Sequence, residues 1–359
     1  MILYSIRKFF KNEAVNYYFL LKILSISTLS KSKSKKIYID ISEIQLNRYL
    51  YNFIKFFTIE GYTVYIPYNR KLIAKLSLNN GEFKYASWIL NENIKIGKPQ
   101  HKTDVFFINK EQLSNDFFNS KYENDALYYH VPMSKYPQMY KDENLHIRHD
   151  FISTRKNVGF MAGNFDKNKY EEISKNKYFD ILNRREIMEH IYAQNYYKRL
   201  NNKQELDDFI ASEEEKVLLL IDTKYDFSLS LSELLQKLEK FNFFIALPGV
   251  IIPQSHNLIE ALSCGCIPIL HQTYANLFRP PLIHNHTAII YRDINDFDNA
   301  VEQCFLMTNG QIVQLRTNVI DYYKFYLSPS SIVQKIVNSK LNKIFIQAEH
   351  ISLDFLKYK

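Results

Sequence analysis

Ser255, His256, Asn257 and Glu260 stand close together in "FFIALPGVIIPQSHNLIEALSCGCIPIL", residues 243 to 270. An apolar run ends at Leu247, Pro248 and Gly249 make a turn, and a loop leads to Ser255 at the head of a helical pattern. A hydroxyl, a ring nitrogen and a side-chain amide there add donors to the unpaired N–H groups of a helix start. Such a cluster suits an anion, a phosphate or a diphosphate. Glu260, one turn deeper, is placed to accept hydrogen bonds from a vicinal diol such as a ribose. The plainer reading of the same residues is a capped helix whose His and Glu face solvent. Ser255 fits the N-cap, but Leu258 stands where a capping box needs an acid or amide, so only half of that device is present.

The elements that must position these residues read as two successive α/β series. After the spacer "SKSKSKK", a strand over 36–42, the helical pattern "EIQLNRYLYNFIKFFTIEGY" and a strand over 63–67 form a β-α-β opening, with Gly61 where a helix C-cap belongs. Strands over 104–109 and 126–132, with a helix over 110–120 between them, complete an open sheet. The polar, irregular stretch 133–155 is the expected interdomain connection. A second series follows: strands over 157–164, 216–222, 241–247, 266–270 and 287–291, with helices around 180–195, 203–212, 229–240, 256–264 and 294–307. The tail from 309 repeats apolar residues at helical spacing and is expected to pack as helices on the outside. The predicted organisation is an arm over 1–35, an acceptor-side Rossmann-like domain over 36–150, a ligand-binding Rossmann-like domain over 151–308 and C-terminal helices over 309–359 that cross over. Two such sheets imply a cleft at their strand carboxyl ends.

Composition narrows the class. At 359 residues, 46% hydrophobic and 15% aromatic, the chain is too rich in apolar side chains for a disordered protein and long enough for two cores. Its three cysteines fit neither a disulfide framework nor a zinc site, which suits a reducing cytoplasm. No spanning run of apolar residues and no signal peptide is read from the sequence. The net charge of +8 is concentrated at the start, where Arg7, Lys8, Lys11, Lys22, Lys31, Lys33, Lys35 and Lys36 face a single acid, Glu13. Interleaved with Phe9, Phe10, Tyr17, Phe19 and Leu20, these cations match an interfacial helix on an anionic membrane; a helix packed on the protein body is the alternative. No nucleic-acid module accompanies the charge, so no nucleic-acid partner is expected.

The stretch 243–270 resembles the donor-binding segment of Leloir glycosyltransferases of the two-Rossmann GT-B architecture, closest to the exostosin-like group and to bacterial surface-polysaccharide glycosyltransferases. The resemblance covers roughly residues 155–305. It implies that Pro248 and Gly249 line the path of a nucleotide sugar, Ser255 meets its phosphates and Glu260 its ribose, while Gly265 and Pro268 shape the next strand. Where exostosin-like members carry Arg after the Ser, this chain has His256 and Asn257. Neutralisation of the phosphates then falls to Arg184 and Arg185, for which a solvated helix face is the competing reading. Gly163 and Asn164, after the first strand of the second series, fit a close approach of backbone to ligand. Tyr274 is a further candidate, for stacking on the base or touching the sugar.

The same resemblance implies a transferase with no resident cofactor, moving a sugar from a nucleotide-sugar co-substrate to a lipid-linked or growing cell-surface glycan, lipopolysaccharide or capsule; no Asp-X-Asp triplet is read, so metal-independent transfer is expected. It would work in the cytoplasm, peripheral at the inner face of the membrane. Inverting transfer needs a base near the acceptor hydroxyl. Candidates are Asp40 and Glu43, at the end of the first strand, and His130. Asp40 fits a helix cap equally well, and His130 a core histidine. Asp166 and Asp222 stand alone, so no metal-binding acidic spacing is read. No P-loop or Gly-X-Gly-X-X-Gly fingerprint points to a kinase or dehydrogenase. Two alternatives stay open: a transferase of a CMP-linked keto-sugar such as Kdo, and a catalytically inert GT-B-like binding or scaffold protein.

Overall fold

Helix Arg48–Ile59 begins where Asn47 accepts hydrogen bonds from the Tyr49 and Leu50 amides. It buries Leu50, Phe53, Ile54 and Phe57 and packs on strand β2 (Tyr62–Ile66), the neighbour of β1 (Lys35–Ile39), with Phe57 edge-on to Tyr62. This computed structural model describes residues 35–76, 84–92, 94–99, 104–122, 125–142, 145–146, 154–170, 173 and 178–357. The expected basic arm, apart from Lys35, lies outside the described residues. Gly61, at φ +84°, turns the chain from the helix into β2. With β3 (Ile94–Ile96) and β4 (Val105–Ile108), the strands form a parallel sheet of order β3-β2-β1-β4. That is one side of a doubly wound sheet together with its switch point, between β1 and β4.

The rest of this unit departs from the sequence reading. No helix forms over 110–120. A 3₁₀ turn at Lys110–Gln112 leads into β5 (Leu113–Ser114), because the polar side chains that follow hydrogen-bond elsewhere. Asn115 accepts from the Gln45 amide and donates to the Ile346 carbonyl, Asn119 donates to Asp116, and Ser114 accepts from the Asp116 amide. β6 (Tyr128–His130) does not join the first sheet. It flanks β12 (Lys343–Phe345), within the tail expected to be helical, and with β5 the two make a small parallel sheet of order β5-β12-β6.

The second unit is built on β7 (Lys156–Gly163), β8 (Leu218–Asp222), β9 (Phe241–Ala246), β10 (Ile267–His271) and β11 (Ile289–Tyr291). All pair in parallel in the order β11-β10-β9-β7-β8. β8, β9 and β10 are buried along their whole length, which is why each reads as an unbroken apolar run. The helices fall where the sequence predicts, with Asn183, Asn202, Ser230 and Asp293 capping them.

The chain is thus α/β, with two Rossmann-like units. One comprises the described residues up to Val131 together with Pro329 onward, the other Pro132–Ser328. The boundary falls at 131/132 rather than 150/151 because Met133, Ser134, Lys135, Met139 and Tyr140, in the stretch read as a connection, are buried with the second unit. The tail divides as well. Helix Asn309–Tyr322 stays with the second unit, whereas helix Pro329–Val337 crosses to the first, where Ser330 bonds Glu60.

Candidate functional site

A sheet of order β11-β10-β9-β7-β8 is the 2-1-3-4-5 arrangement, and its switch point lies between β7 and β9, where open α/β sheets bind ligands beyond the strand ends. The exits of these two strands are Gly163-Asn164 and Leu247-Pro248-Gly249. Arg184, the first residue of helix Arg184–Tyr192, ties them together. Its Nη1 donates to the Asn164 carbonyl at 2.8 Å, its Nε to that of Pro248 at 3.1 Å and its Nη2 to that of Leu247 at 3.5 Å. The guanidinium lies 3.8 Å from the Tyr170 ring centre. It is 3% exposed, and no carboxylate of a described residue pairs with it. Burial makes the group less basic than an ordinary guanidinium, with Tyr170 and Tyr274 opposing. It remains charged, so a buried positive charge stands behind both strand exits.

Gly249 is required by close approach. A Cβ there would stand 2.5 Å from the Ile252 carbonyl oxygen, and its amide closes the turn onto the Pro253 carbonyl. The turn delivers Ser255 to the start of helix His256–Ser263, in extended N-cap conformation but with no cap hydrogen bond from its side chain. Ser255 is fixed instead through its own amide, which donates to the Tyr274 hydroxyl at 2.6 Å. The helix start is therefore left without a side-chain cap, and the Ser255 hydroxyl is not committed to it. Asn257 leans to the β7 exit, its Nδ2 donating to the Ala162 carbonyl at 3.3 Å and standing 3.3 Å from where a Gly163 Cβ would be. The far end of the helix stops at Gly265, φ +74°, where the Cys266 amide reaches back to Ala261 and the Gly265 amide to Leu262.

Glu260 is 1% exposed and does not face solvent. Its Oε1 accepts from the Tyr136 amide at 3.0 Å and pairs with His256 Nδ1 at 2.9 Å. Burial alone would push its pKa up, but His256, the Tyr136 amide and the Lys135 ammonium outweigh that, and the carboxyl sits below the ordinary glutamate range. The Tyr136 ring lies against His256, 5.3 Å between centres. Glu260 thus fixes the His256 imidazole through Nδ1 and leaves Nε2 as the ring nitrogen facing elsewhere; the ring is about one-third exposed. Lys135 and Tyr136 were missed because they lie in the stretch read as a polar connection, where no periodicity signals their burial.

The structure brings together Gly163, Asn164, Arg184, Pro248, Gly249, Ser255, His256, Asn257 and Glu260. Tyr274, 1% exposed and stacked on Phe278, supports Ser255 from behind. Arg185 is on the outer face of its helix, paired with Glu189 at 2.9 Å. In the first unit, Asp40 is at the carboxyl end of β1 and accepts from the Ser42 amide and hydroxyl, and Glu43 pairs with Lys110 at 2.5 Å. His130 is in the other sheet, 6% exposed and stacked on Phe345 at 4.4 Å. Asp40 and Glu43 share a neighbour, Lys110, whose pKa is raised by the hydrogen bond and charge of Glu43 and, less strongly, by the charge of Asp40. The reading of acidic residues overlooks Asp296-Phe297-Asp298, an Asp-X-Asp spacing. Asp296 there accepts from the Arg292 amide, while Asp298 holds His190 and Tyr196.

No family model and no curated protein matches the chain. Among solved structures it is similar to a mutant of S. aureus TarM in complex with fondaparinux, alpha-GlcNAc-glycerol and UDP, at 11% identity and a TM-score of 0.33 over 78% of this chain and 51% of that one. It is also similar to a glycosyltransferase from Rickettsia africae, at 10% identity and a TM-score of 0.35 over 90% and 99% of the two chains. Anabaena HepE in complex with UDP is a third, at 12% identity and a TM-score of 0.35 over 85% and 98%. The chain spans about half the length of TarM. Likenesses this distant carry no argument about activity.

Proposed function

We propose that the chain is a glycosyltransferase that binds a nucleotide sugar beyond β7 and β9 and passes its sugar to a lipid-linked or growing cell-surface glycan. One observation supports this reading above the rest: the switch point coincides with a helix start lacking a side-chain cap and with a buried guanidinium that no described carboxylate neutralises. That combination favours an anion of high charge. In the transfer, the acceptor hydroxyl oxygen bonds to the anomeric carbon as the bond from that carbon to the phosphate oxygen breaks; the leaving diphosphate takes the electron pair, and the hydroxyl proton passes to a base or to the leaving phosphate. The amides of the helix start, the Ser255 hydroxyl and the field of Arg184 stabilise that charge where it develops. His256, held by Glu260, contributes Nε2 to the same edge. The basic aromatic arm over 1–35 would hold the enzyme near a membrane-bound acceptor, and deleting residues 1–34 should then abolish binding to anionic vesicles.

The decisive variant is Ser255→Asp. An Asp at an uncapped N-cap stabilises a helix by about 0.5–1 kcal/mol. The same charge repels a diphosphate. Thermal unfolding with UDP-, GDP-, dTDP- and CMP-sugars should show at least one that protects the wild-type chain, while Ser255→Asp melts higher alone and gains nothing from that donor. Protection by none of them, or equal protection of the variant, would overturn the reading.

A further inference from the structure

We propose that the first unit carries a saccharide-binding pocket in which Arg48 and Glu349 grip a pair of neighbouring sugar hydroxyls. The pocket, about 310 Å³, is lined by Gln45, Asn47, Arg48, Tyr49, Tyr85 and Glu349, among others. It joins the loop that leaves β1 to the segment with which the tail returns to this unit. Its volume is at the lower end for small-molecule sites, which start at about 300 Å³, and suits one or two sugar rings.

The polar groups are matched to a diol. Arg48 Nη2 pairs with Glu349 Oε1 and donates to the Tyr49 hydroxyl at 2.9 Å, and that hydroxyl donates to the same Oε1 at 3.1 Å. All three contacts converge on one nitrogen and one oxygen. Glu349 Oε2 and Arg48 Nη1 have no described partner, and Arg48 Nε is buried without one. Glu349 thus keeps an acceptor oxygen and Arg48 a donor nitrogen, Nη1, on the two sides of one ion pair, both side chains about one-third exposed. One hydroxyl of a vicinal diol can donate to Oε2 while its neighbour accepts from the guanidinium. The pair is neutral as a whole, which favours an uncharged polyol over a phosphate. Tyr49 is buried under the Arg48 guanidinium, 4.9 Å from its ring centre, and the half-buried Tyr85 ring offers surface for the apolar face of a sugar.

Glu349 is held in place by more than a surface ion pair requires. It is a non-glycine residue at φ +50°. Its amide and that of Ala348 both donate to Gln347 Oε1 at 2.7 Å. The Gln347 carbonyl in turn accepts from Asn47 Nδ2 at 3.2 Å, and Asn47 is the cap of the helix that carries Arg48. The tail is thus clamped to the helix start so that Glu349 faces Arg48. On the glycosyltransferase reading the saccharide belongs to the acceptor; binding itself does not rest on that reading.

Trp88, the only tryptophan of the chain, reports on the pocket because it lies edge-on against Tyr85, 5.1 Å between centres. The full chain is titrated with free glucose, galactose, mannose, rhamnose, N-acetylglucosamine and their disaccharides, reading Trp88 emission and saturation-transfer NMR of the sugar. At least one should bind saturably in the millimolar range. Glu349→Gln should weaken it about tenfold or more. Tyr85→Ala, which leaves the ion pair intact, provides a second test by NMR if Glu349→Gln fails to fold. Absence of any saccharide response, or wild-type binding by a folded variant, overturns the proposal. Ser255→Asp should leave saccharide binding unchanged. Saccharide binding without nucleotide-sugar protection would keep the pocket and remove the transferase reading, and the converse would keep the donor site and remove the pocket.

Discussion

The two Rossmann-like units present their switch points very differently. At the β1/β4 switch of the first unit the charged residues are on the surface: Asp40 folds onto Ser42, and Glu43, 64% exposed, reaches Lys110. At the β7/β9 switch of the second, Arg184 and Glu260 are almost wholly buried, and each is held by backbone groups brought from distant parts of the chain. Ionised groups are taken out of water only where enough partners compensate them. The charged residues of the second switch point are therefore fixed by buried hydrogen bonds, whereas those of the first lie nearer the surface. The organised polar chemistry of the first unit lies at the start of helix Arg48–Ile59, where Arg48 meets Glu349.

The most severe test of this contrast is Arg184→Met. It leaves three strand-exit carbonyls without their donor, and hydrogen bonds to a charged group contribute about 1.5–3 kcal/mol each, partly offset because the apolar side chain is easier to bury. A net loss of about 3 kcal/mol is expected from the shift in urea midpoint, together with loss of nucleotide-sugar protection. A loss below about 1 kcal/mol would mean that Arg184 does not organise the strand exits. Gly249→Ala follows, with about 1–3 kcal/mol lost because its Cβ would collide with a backbone oxygen that cannot swing away. Its test is again the urea midpoint, and an unchanged midpoint would show that the Pro-Gly turn yields freely.

Glu260→Gln gives the pH signature of the buried side. The Glu260 pKa is lower in the folded chain than in the unfolded one, so the unfolded state binds the proton first as the pH falls. The stabilisation is complete above the ordinary glutamate range, near pH ~4.3, and is lost as the pH drops through the lower folded value. At neutral pH the variant should be about 1–2 kcal/mol less stable, since Gln still accepts from the Tyr136 amide but loses the charge that His256 and Lys135 compensate. As the pH falls below about 4.3 the two urea midpoints should begin to converge, meeting once the pH is below the lower folded value. Parallel curves would mean that Glu260 carries no linkage.

Much of this second unit is legible in the sequence for a physical reason. Parallel strands buried on both faces read as runs such as "KVLLLID" and "FNFFIAL", and Pro, Gly and Asn mark their ends. The location of Ser255, His256, Asn257 and Glu260 follows from those marks. The partners that give them their properties do not. Tyr136 reaches Glu260 across 124 positions from a stretch with no periodicity, and the Tyr274 hydroxyl accepts from the Ser255 amide. In the first unit the failures share a cause. Asn115 takes its hydrogen bonds from Gln45 and gives them to Ile346, and β12 is only three residues long, so long-range pairing decides the structure where local pattern favours helix. Glu349 was invisible as a site residue because the tail read as outer helices.

The smallest effect is expected where the comparison predicts almost none. Glu43→Gln removes a carboxylate whose described ion-pair partner is Lys110, at a position where water can solvate either charge once the other is gone. Exposed pairs of this kind contribute about 0–1 kcal/mol, and the loss here should stay within about 0.5 kcal/mol. Sugar transfer, if Glu43 is not the base, should also continue at the wild-type rate once a donor is known. Loss of transfer with unchanged stability and unchanged nucleotide-sugar protection would return Glu43 to the acceptor side as a proton acceptor. It would also show that a solvated carboxylate at the first switch point does chemistry that the buried residues of the second do not.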